Sequence, residues 1–195
     1  LWFGPNWPAY LAPVAGGYGY FTFVHELGHA LGLVHPHQGS VAANPGEDHL
    51  KYSVMSYRSY DGASLSSGYS NSVYPTSFML NDIQALQFLY GANTTHNTGD
   101  DTYSWNASKS VFETLWDGGG IDTIDASNQT LGVSLNLEPG SWSTIGASFW
   151  NGQASVRNYL SIAYGTQIER AVGSAYADTL TGSPFGSELE GAGGN

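Results

Sequence analysis

No other part of the sequence restricts the fold as strongly as the pattern H-E-x-x-H-x-x-G-x-x-H that begins at His25. His25 and His29 are four positions apart, so on an α-helix they project from one face on successive turns. Gly32 can adopt the left-handed conformation that ends a helix, which lets the chain turn back and bring His35 toward the other two histidines. The pattern predicts a helix from about residue 20 to residue 31, followed by a sharp turn.

The same residues suit a catalytic zinc ion. Three imidazoles are ligands that zinc prefers, and three protein ligands leave one position open, unlike a closed structural site. Glu26 follows His25 on the helix, so it can reach a water on the zinc and act as a general base without binding the metal. The alternative is a core helix whose histidines are only hydrogen-bonded. Because five residues match fixed offsets, we favour zinc.

A second motif, Ser53-Val54-Met55-Ser56-Tyr57, follows the histidines. The long zinc motif and a later Met-containing turn together resemble the metzincin zinc proteases. The Met-Ser-Tyr sequence is similar to that of the serralysins, which are secreted bacterial zinc proteases, and to that of the astacins. The resemblance implies that Met55 forms the floor beneath the zinc, and that Tyr57 is a displaceable ligand that also donates a hydrogen bond during catalysis. Taken alone, both would be ordinary packing residues.

Composition distinguishes between these families. Astacin-like domains are held by disulfides, whereas this chain has no cysteine, so an exported form needs another stabiliser, such as calcium. The net charge of −11 argues against a nucleic-acid partner and against anionic membranes, and it suits cation sites rich in carboxylates. No apolar run has the length of a membrane span.

A second helix is predicted from Asn81 to Gly91. Asn81 can cap its start, Asp82 suits the positive end of the helix dipole, and Gly91 can end it. Serralysin catalytic domains end in a similar helix. Four apolar residues recur at helical spacing and are predicted to face the core: Ile83, Leu86, Leu89 and Tyr90.

From about residue 97 the sequence changes to short β segments separated by Gly, Asn, Asp and Ser, with strands predicted at 111–116, 121–124 and 133–137. The last part has a nine-residue period, and its units begin at Gly173, Gly182 and Gly191. This resembles the G-G-x-G-x-D-x-U-x repeat of calcium-binding parallel β-rolls.

The match to that repeat is imperfect. Asp178 stands at the calcium-binding position of the first unit, and Leu180 and Leu189 stand at the apolar positions that point into the core. Ser174 and Tyr176 occupy places where Gly is expected, and Ser187 replaces the second Asp. Two interpretations stay open for these turns, a calcium-binding roll with Asp178 as a ligand and a Gly-rich β-solenoid without metal.

A stronger calcium candidate is Trp116-Asp117-Gly118-Gly119-Gly120-Ile121-Asp122-Thr123, in which two carboxylates flank a Gly loop. Serralysins bind two calcium ions with a similar segment; a solvent-exposed Asp/Gly turn is the alternative. The resemblance implies one ion held by Asn97, Gly99, Asp101, Asp117, Gly119 and Asp122, and a second held by Gly120, Asp122, Gln167 and Glu169.

The resemblance implies an α+β fold in two parts. Residues 1–91 correspond to the C-terminal part of a metzincin zinc-protease domain, with the zinc helix, the Met turn and a supporting helix. Residues 92–195 correspond to a parallel β-roll, or β-solenoid, truncated at its C-terminal end. A serralysin catalytic domain has a substrate-binding sheet before the zinc helix, whereas few residues precede His25 here. We therefore expect a fragment of a longer protein.

The implied function is a zinc-dependent endopeptidase that acts on extracellular proteins, with Zn²⁺ and Ca²⁺ as cofactors. The implied partners are protein or peptide substrates and a proteinaceous inhibitor, with no nucleic acid and no membrane span. We expect a monomer, secreted from bacteria without a signal peptide. Two alternatives stay open: a calcium-binding β-roll that serves binding or adhesion beside an incomplete or inactive protease, and a zinc hydrolase with a non-peptide substrate.

Overall fold

The computed structural model describes residues 7–38, 44–66 and 68–193. The chain divides into two compact units. The first runs to Tyr90 and also includes Phe149–Val156, and the second contains Gly91–Ser148 and the chain from Arg157 onward. No sequence pattern indicates that a short segment near residue 150 belongs with the first unit. The chain contains both helices and sheets, as the α+β class predicts.

In the described ranges the helices are α1 (Pro8–Leu11), α2 (Tyr18–Ala30) and α3 (Leu80–Tyr90), with a 3₁₀ turn at Pro45–Glu47. The strands are β1 (Thr102–Tyr103), β2 (Glu113–Leu115), β3 (Thr123–Asp125), β4 (Ser134–Asn136), β5 (Trp142–Ser143), β6 (Phe149–Trp150), β7 (Ser155–Val156), β8 (Leu160–Ile162), β9 (Arg170–Val172), β10 (Thr179–Thr181) and β11 (Glu188–Glu190). No described helix has the length and apolar character needed to cross a membrane.

Helix α2 carries the histidine pattern and buries the face that contains Phe21, His25 and Gly28. The predicted end of the helix is confirmed, because Gly32 has a φ of +92°. The Leu33 amide then donates to the Gly28 carbonyl at 2.9 Å, which satisfies a carbonyl left free at the helix end. This turn directs the chain back toward α2.

Helix α3 begins at Leu80, so the prediction that Asn81 caps it is wrong. Asp82 Oδ2 instead accepts a 3.0 Å hydrogen bond from the Met79 amide, as in the reverse bond of a capping box. The prediction that Leu89 and Tyr90 face the core is also wrong, since both are exposed. The first turn of α3 is buried while its last turn lies at the surface, so helical spacing alone did not identify the buried face.

The second unit is built from short, mostly parallel strands. One sheet has the order β1-β3-β9-β11, and all its pairs are parallel. Strands β4 and β10 form a parallel pair, β2 pairs in parallel with β8, and β5 joins β8 antiparallel. The predicted strand regions 111–116, 121–124 and 133–137 each contain or overlap an observed strand, although the observed strands are only three residues long.

The core of the second unit consists of apolar residues on successive rungs of these sheets. Ile124 pairs with Ala171, both are buried, and Ala171 pairs in turn with Leu189 on β11. Leu180 packs against this core. Leu189 is 43% exposed, so the prediction that it points into the core is wrong. Strand β11 is the edge of its sheet, and an edge strand has a neighbour on one side only.

Candidate metal centres

The three histidines of the pattern converge in the first unit. His29 Nε2 lies 3.0 Å from His35 Nε2, and His35 Nε2 lies 3.4 Å from His25 Nε2. Two nitrogens that each lie about 2.0–2.1 Å from a tetrahedral zinc are separated by about 3.3 Å. The spacing therefore fits three nitrogen ligands around one zinc ion.

The hydrogen bonds of the three Nδ1 atoms indicate that the Nε2 atoms are unprotonated and carry lone pairs. Each Nδ1 faces a carbonyl oxygen, which can only accept, so the proton lies on Nδ1. Three lone pairs that point at each other repel unless a cation lies between them, and carbonyl partners of this kind orient metal-binding histidines. The three Nδ1 contacts are His25 to the Val54 carbonyl at 2.8 Å, His29 to the Leu33 carbonyl at 3.0 Å and His35 to Gln38 Oε1 at 2.9 Å.

Burial lowers the pKa of His25, although its hydrogen bond to the Val54 carbonyl acts in the opposite direction. A lowered pKa favours the neutral imidazole, which is the form that binds a metal. The Tyr57 ring lies beside the histidines, with its centroid 4.4 Å from that of His35 and 5.8 Å from that of His25. Glu26 and Tyr57 line one cavity together with His25.

The Met turn packs directly beneath helix α2. Met55 is buried, and its Sδ lies 2.5 Å from the position that a Cβ on Gly28 would occupy. Asp82 of α3 holds this turn: its Oδ1 accepts from the Ser53 hydroxyl at 2.6 Å and its Oδ2 from the Val54 amide at 2.7 Å. The Val54 carbonyl then accepts from His25. Sequence reasoning assigned Asp82 only to the helix dipole and missed this role, because nothing local to α3 indicates the Met turn.

Replacing Gly28 with Ala is expected to lower the free energy of unfolding by about 1–3 kcal/mol, the usual range for an overpacked core. At an exposed helix position the same change would raise the free energy of unfolding by about 1 kcal/mol. The sign of the measured change therefore tests whether Gly28 packs closely against Met55. Denaturant unfolding of the metal-free chain measures it. Gly46→Ala is the matched control, since no atom of the described residues lies within 4 Å of its added Cβ. A higher free energy of unfolding in Gly28→Ala than in the wild-type chain would contradict the close contact between Gly28 and Met55.

A cavity of about 550 Å³ opens beside the histidines. Among the described residues that line it, Glu26 is the only acidic side chain. Burial moves the pKa of Tyr69 and Tyr74 further above the ordinary value of a phenol, so both stay uncharged at neutral pH. The Tyr69 hydroxyl donates to the Ser56 carbonyl at 3.0 Å. The apolar part of the wall consists of Tyr18, Phe21, Leu65, Tyr69 and Tyr74.

A second cluster lies in the second unit, where oxygens of Asp101, Asp117 and Asp122 come within 4.8 Å of one another. Asp122 is wholly buried, and burial, followed by the charges of Asp117 and Glu169, raises its pKa to about 6. Its Oδ1 accepts from the Asp101 amide at 2.8 Å. Its Oδ2 is buried and has no hydrogen-bond partner among the described residues. A buried, unpartnered carboxylate oxygen beside two further carboxylates fits a hard cation such as calcium.

The glycine loop completes this cluster. Gly119 and Gly120 have φ values of +136° and +152°, which side chains rarely tolerate, and a Cβ on Gly120 would collide with the Gly99 carbonyl oxygen. The loop therefore brings that carbonyl close to Asp122. The Gly119 amide donates to Asp117 Oδ1 at 2.7 Å.

Tyr103 is a member of this cluster that sequence reasoning missed. Its hydroxyl donates to Asp117 Oδ2 at 2.5 Å and accepts from Asn97 Nδ2 at 2.9 Å. Asn97 is therefore connected to the cluster through Tyr103, with its amide nitrogen rather than its oxygen directed inward. No local pattern marks a strand tyrosine as a partner of a distant Asp.

Of the remaining predicted calcium ligands, Glu169 lies beside the cluster, whereas Asp178 is not part of it. Glu169 lies next to Asp122, since its Oε2 accepts from the Asp122 amide at 2.9 Å, and Gln167 is exposed two positions earlier. Asp178 is not among the clustered carboxylates of the described residues. Its oxygens accept from Val133 and Ser174 instead.

Comparison with known proteins identifies the family. Residues 81–194 match the family described as Peptidase M10 serralysin C terminal. This chain belongs to the serralysin family. Its relatives include Serralysin C of Dickeya chrysanthemi (35% identity over 92% of this chain and 39% of the relative), Serralysin of Proteus mirabilis (35% over 91% and 38%) and Metallopeptidase AprA of Pseudomonas marginalis (37% over 88% and 39%).

The similarity to serralysins extends beyond the C-terminal family match. An alignment that covers 92% of the chain leaves out too few residues to omit either His25 or Tyr57, so it includes the histidine pattern and the Met turn. The chain spans about 39% of the length of that relative. Membership in the serralysin family is therefore shown, while the activity of the whole protein is a matter for proposal.

Proposed function

We propose that this chain is part of a zinc-dependent endopeptidase that hydrolyses peptide bonds of extracellular proteins. The single observation that carries the proposal is the convergence of His25, His29 and His35 Nε2 atoms, each ring being oriented by a carbonyl oxygen. The proposal includes the architecture, with residues 1–91 as the lower part of a metzincin domain and residues 92–195 as a parallel β-roll. It also includes secretion, a proteinaceous inhibitor and a monomeric state.

The proposed mechanism assigns separate tasks to the residues around the histidines. Zinc bound by the three histidines supplies Lewis-acid polarisation of a carbonyl and acidification of water. The Glu26 carboxylate accepts the proton from the attacking water and delivers it to the nitrogen of the leaving amine. The hydroxyl of Tyr57, a residue that is 38% exposed, donates a hydrogen bond to the developing oxyanion.

The adjoining cavity suits the side chain of a substrate residue next to the cleaved bond. Its walls are largely aromatic and aliphatic, and Glu26 is the only acidic side chain among the described residues that line it. Burying an uncharged side chain of the size of Leu or Phe yields about 1.5–3 kcal/mol, whereas burying an unpaired carboxylate is costly. We propose that the enzyme prefers a large apolar residue at this position over Asp or Glu.

The experiment that tests the function is metal analysis of the purified chain, followed by casein cleavage with and without chelator. One zinc per chain and chelator-sensitive cleavage would support the proposal. Loss of zinc in His29→Ala with retention in His96→Ala, an exposed histidine outside the pattern, would assign the ion to these ligands. Absence of zinc from the chain, or zinc equally bound by His29→Ala, would contradict it.

We also propose a calcium ion at the Asp101, Asp117 and Asp122 cluster. We expect calcium to raise the melting temperature of the chain by several degrees, because the ion binds the folded state only and relieves repulsion between the carboxylates. Asp122→Asn should remove most of that increase, whereas Asp61→Asn, an exposed position in the first unit, should keep it. An undiminished calcium response in Asp122→Asn would contradict the assignment.

A second candidate function is a calcium-binding β-roll module for binding or adhesion, attached to an incomplete or inactive protease. The observation that favours it is the Asp101, Asp117 and Asp122 cluster, which lies within the second unit and does not involve the histidines. Chelator-sensitive cleavage separates the candidates, because an incomplete or inactive protease does not hydrolyse peptides even where its three histidines bind zinc.

A further inference from the structure

A buried carboxylate holds both chain neighbours of Tyr57. The Ser56 hydroxyl donates to Asp48 Oδ1 at 2.7 Å, and Arg58 Nε donates to Asp48 Oδ2 at 3.0 Å. Asp48 is only 8% exposed. The Arg58 guanidinium also donates to the Ala63 carbonyl. One side chain therefore fixes the backbone on either side of Tyr57.

Further hydrogen bonds stiffen the same segment. The Ser56 carbonyl accepts from the Tyr69 hydroxyl at 3.0 Å, and the Arg58 carbonyl accepts from the Leu50 amide at 2.9 Å. The Tyr57 ring itself is partly exposed and lies beside the histidine rings. These hydrogen bonds hold the backbone around Tyr57 in place, while the ring remains accessible. A fixed backbone suits a side chain that must return to the same position beside the histidines in every catalytic cycle.

We propose that Asp48 is a positioning residue for Tyr57, acting through Ser56 and Arg58. This inference rests on the proposed function, in which Tyr57 works at the metal. Removing the carboxylate leaves the partly buried Arg58 guanidinium and the buried Ser56 hydroxyl without their acceptor, so the segment shifts. Misplacement of a catalytic group by about 1 Å can lower a rate by about 10²-fold.

Copper substitution tests the position of Tyr57 without requiring activity. A phenolate beside Cu²⁺ produces a visible charge-transfer band, whereas Cu²⁺ on histidines alone does not. We expect the band in the wild-type chain, its absence in Tyr57→Phe, and its weakening or displacement in Asp48→Asn. Ser56→Ala removes one of the two contacts and keeps the ion pair, so it should give a smaller change and stays informative if Asp48→Asn does not fold.

The possible outcomes distinguish a failure of the positioning role of Asp48 from a failure of the proposed function. A wild-type band that is unchanged in Asp48→Asn and Ser56→Ala would overturn the positioning role alone. A chain that binds no Cu²⁺ at its histidines would overturn the proposed function and the positioning role with it. Asp61→Asn is the control, and its band should equal that of the wild type.

Two nine-residue turns of the second unit share hydrogen bonds that involve the serine at the second position of each repeat. In the first turn Asp178 Oδ2 accepts from the Ser174 amide at 2.7 Å and Oδ1 from the Ser174 hydroxyl at 2.7 Å. Nine residues later Ser187 Oγ accepts from the Ser183 amide at 2.8 Å, while the Ser187 hydroxyl donates to Ser183 Oγ at 3.3 Å. In both turns the first serine hydroxyl also accepts from the amide two residues on, at 3.1 and 3.4 Å.

This pattern does not fit a calcium site. Asp178 Oδ1 accepts a third hydrogen bond, from the Val133 amide at 2.8 Å, so protein donors use three of about four acceptor positions of the carboxylate. Ser187 carries no charge. Among the described residues Asp178 belongs to no group of three or more potential metal-ligating side chains, whereas calcium takes about 6–8 oxygen ligands, several of them usually charged.

We infer that serine donors take the place of calcium in these two turns. Ser174 and Ser183 stand second in their units. The Ser174 amide and hydroxyl donate to Asp178, and the Ser183 amide donates to Ser187, the residues that would otherwise face the ion. Asp178 is then a structural acceptor rather than a calcium ligand, which revises the assignment suggested by the resemblance. The end of the roll folds without calcium, while the Asp122 cluster depends on it.

Calcium stoichiometry and thermal unfolding test this inference. We expect Asp178→Asn to bind the same number of calcium ions as the wild-type chain, and Ser174→Ala to lower the melting temperature equally in calcium and in chelator. Asp122→Asn is the positive control and should bind fewer ions. A lower calcium count in Asp178→Asn, or a Ser174→Ala effect confined to one of the two conditions, would overturn the inference.

Discussion

Replacing Glu26 with Gln is expected to lower the rate of peptide hydrolysis by about 10²–10⁴-fold, the range typical of a lost general base, and to leave the zinc content unchanged. The amide has the shape of the carboxylate but cannot accept the proton of the attacking water. Glu26 does not belong to the cluster of three histidines that would bind the metal, so the substitution leaves the metal ligands in place. The measurement combines zinc analysis with cleavage of a fluorogenic peptide at saturating substrate.

Controls for Glu26→Gln separate chemistry from binding. Glu138→Gln, at an exposed position of the second unit, should retain wild-type rates. If the 195-residue chain alone does not cleave, the same pair of variants is compared in the longer protein. A Glu26→Gln enzyme with full turnover would exclude the base role, and loss of zinc together with activity would instead indicate a structural defect.

Replacing Asp82 with Ala is expected to lower the free energy of unfolding of the first unit by about 3–5 kcal/mol. The carboxylate accepts from the Ser53 hydroxyl and the Val54 and Met79 amides, and each buried donor left unsatisfied costs about 1–3 kcal/mol. Denaturant unfolding of the metal-free chain measures the loss. Gln84→Ala, an exposed position of the same helix, is the matched control and should change stability by about 0.5 kcal/mol or less.

The pH dependence of that loss provides an independent check. Burial raises the pKa of Asp82 to about 6 in the folded chain, above its ordinary value of 3.8. The folded state therefore binds the proton more tightly than the unfolded state, so the contribution of Asp82 is greatest below about pH 4 and declines as the pH rises through about 6. The difference between wild type and Asp82→Ala should shrink over this range. A difference that grows with pH would contradict the burial of this group.

Zinc affinity should respond to Asp82→Ala as well. Asp82 binds the Val54 amide, and the Val54 carbonyl orients His25. Loss of such an outer partner typically lowers metal affinity about 10–100-fold. Competition with a chromophoric chelator measures the change, and unaltered affinity would show that the Met turn keeps its position without Asp82.

The histidine pattern could be interpreted from the sequence because its geometry is local. Helical periodicity places His25 and His29 on one face, and the positive φ of Gly32 returns the chain to His35 within a few residues. The Gly119 and Gly120 loop was predictable for the same reason. Side-chain directions in a helix or tight turn follow from backbone geometry over one or two turns, without information from distant residues.

The contacts that support the site could not be predicted, because they join residues that are distant in the chain. Asp82 binds Ser53 and Tyr103 binds Asp117 across long loops, and no periodicity connects them. The burial of α3 was also misjudged, since Leu89 and Tyr90 continue an apolar pattern beyond the buried first turn. A pattern identifies a possible core face, but packing partners decide which part of that face is covered.

The three-histidine arrangement, the turn that closes it and the acidic glycine loop could be predicted from the sequence, since each is encoded within a short segment. The tertiary structure, in contrast, establishes which residues hold these groups in place. Asp48, Asp82 and Tyr103 act through hydrogen bonds that form when separate segments pack together. It likewise decided that Asp178 is satisfied by Ser174 and Val133, because the neighbours of a carboxylate, rather than its place in a repeat, determine whether it is free to bind an ion.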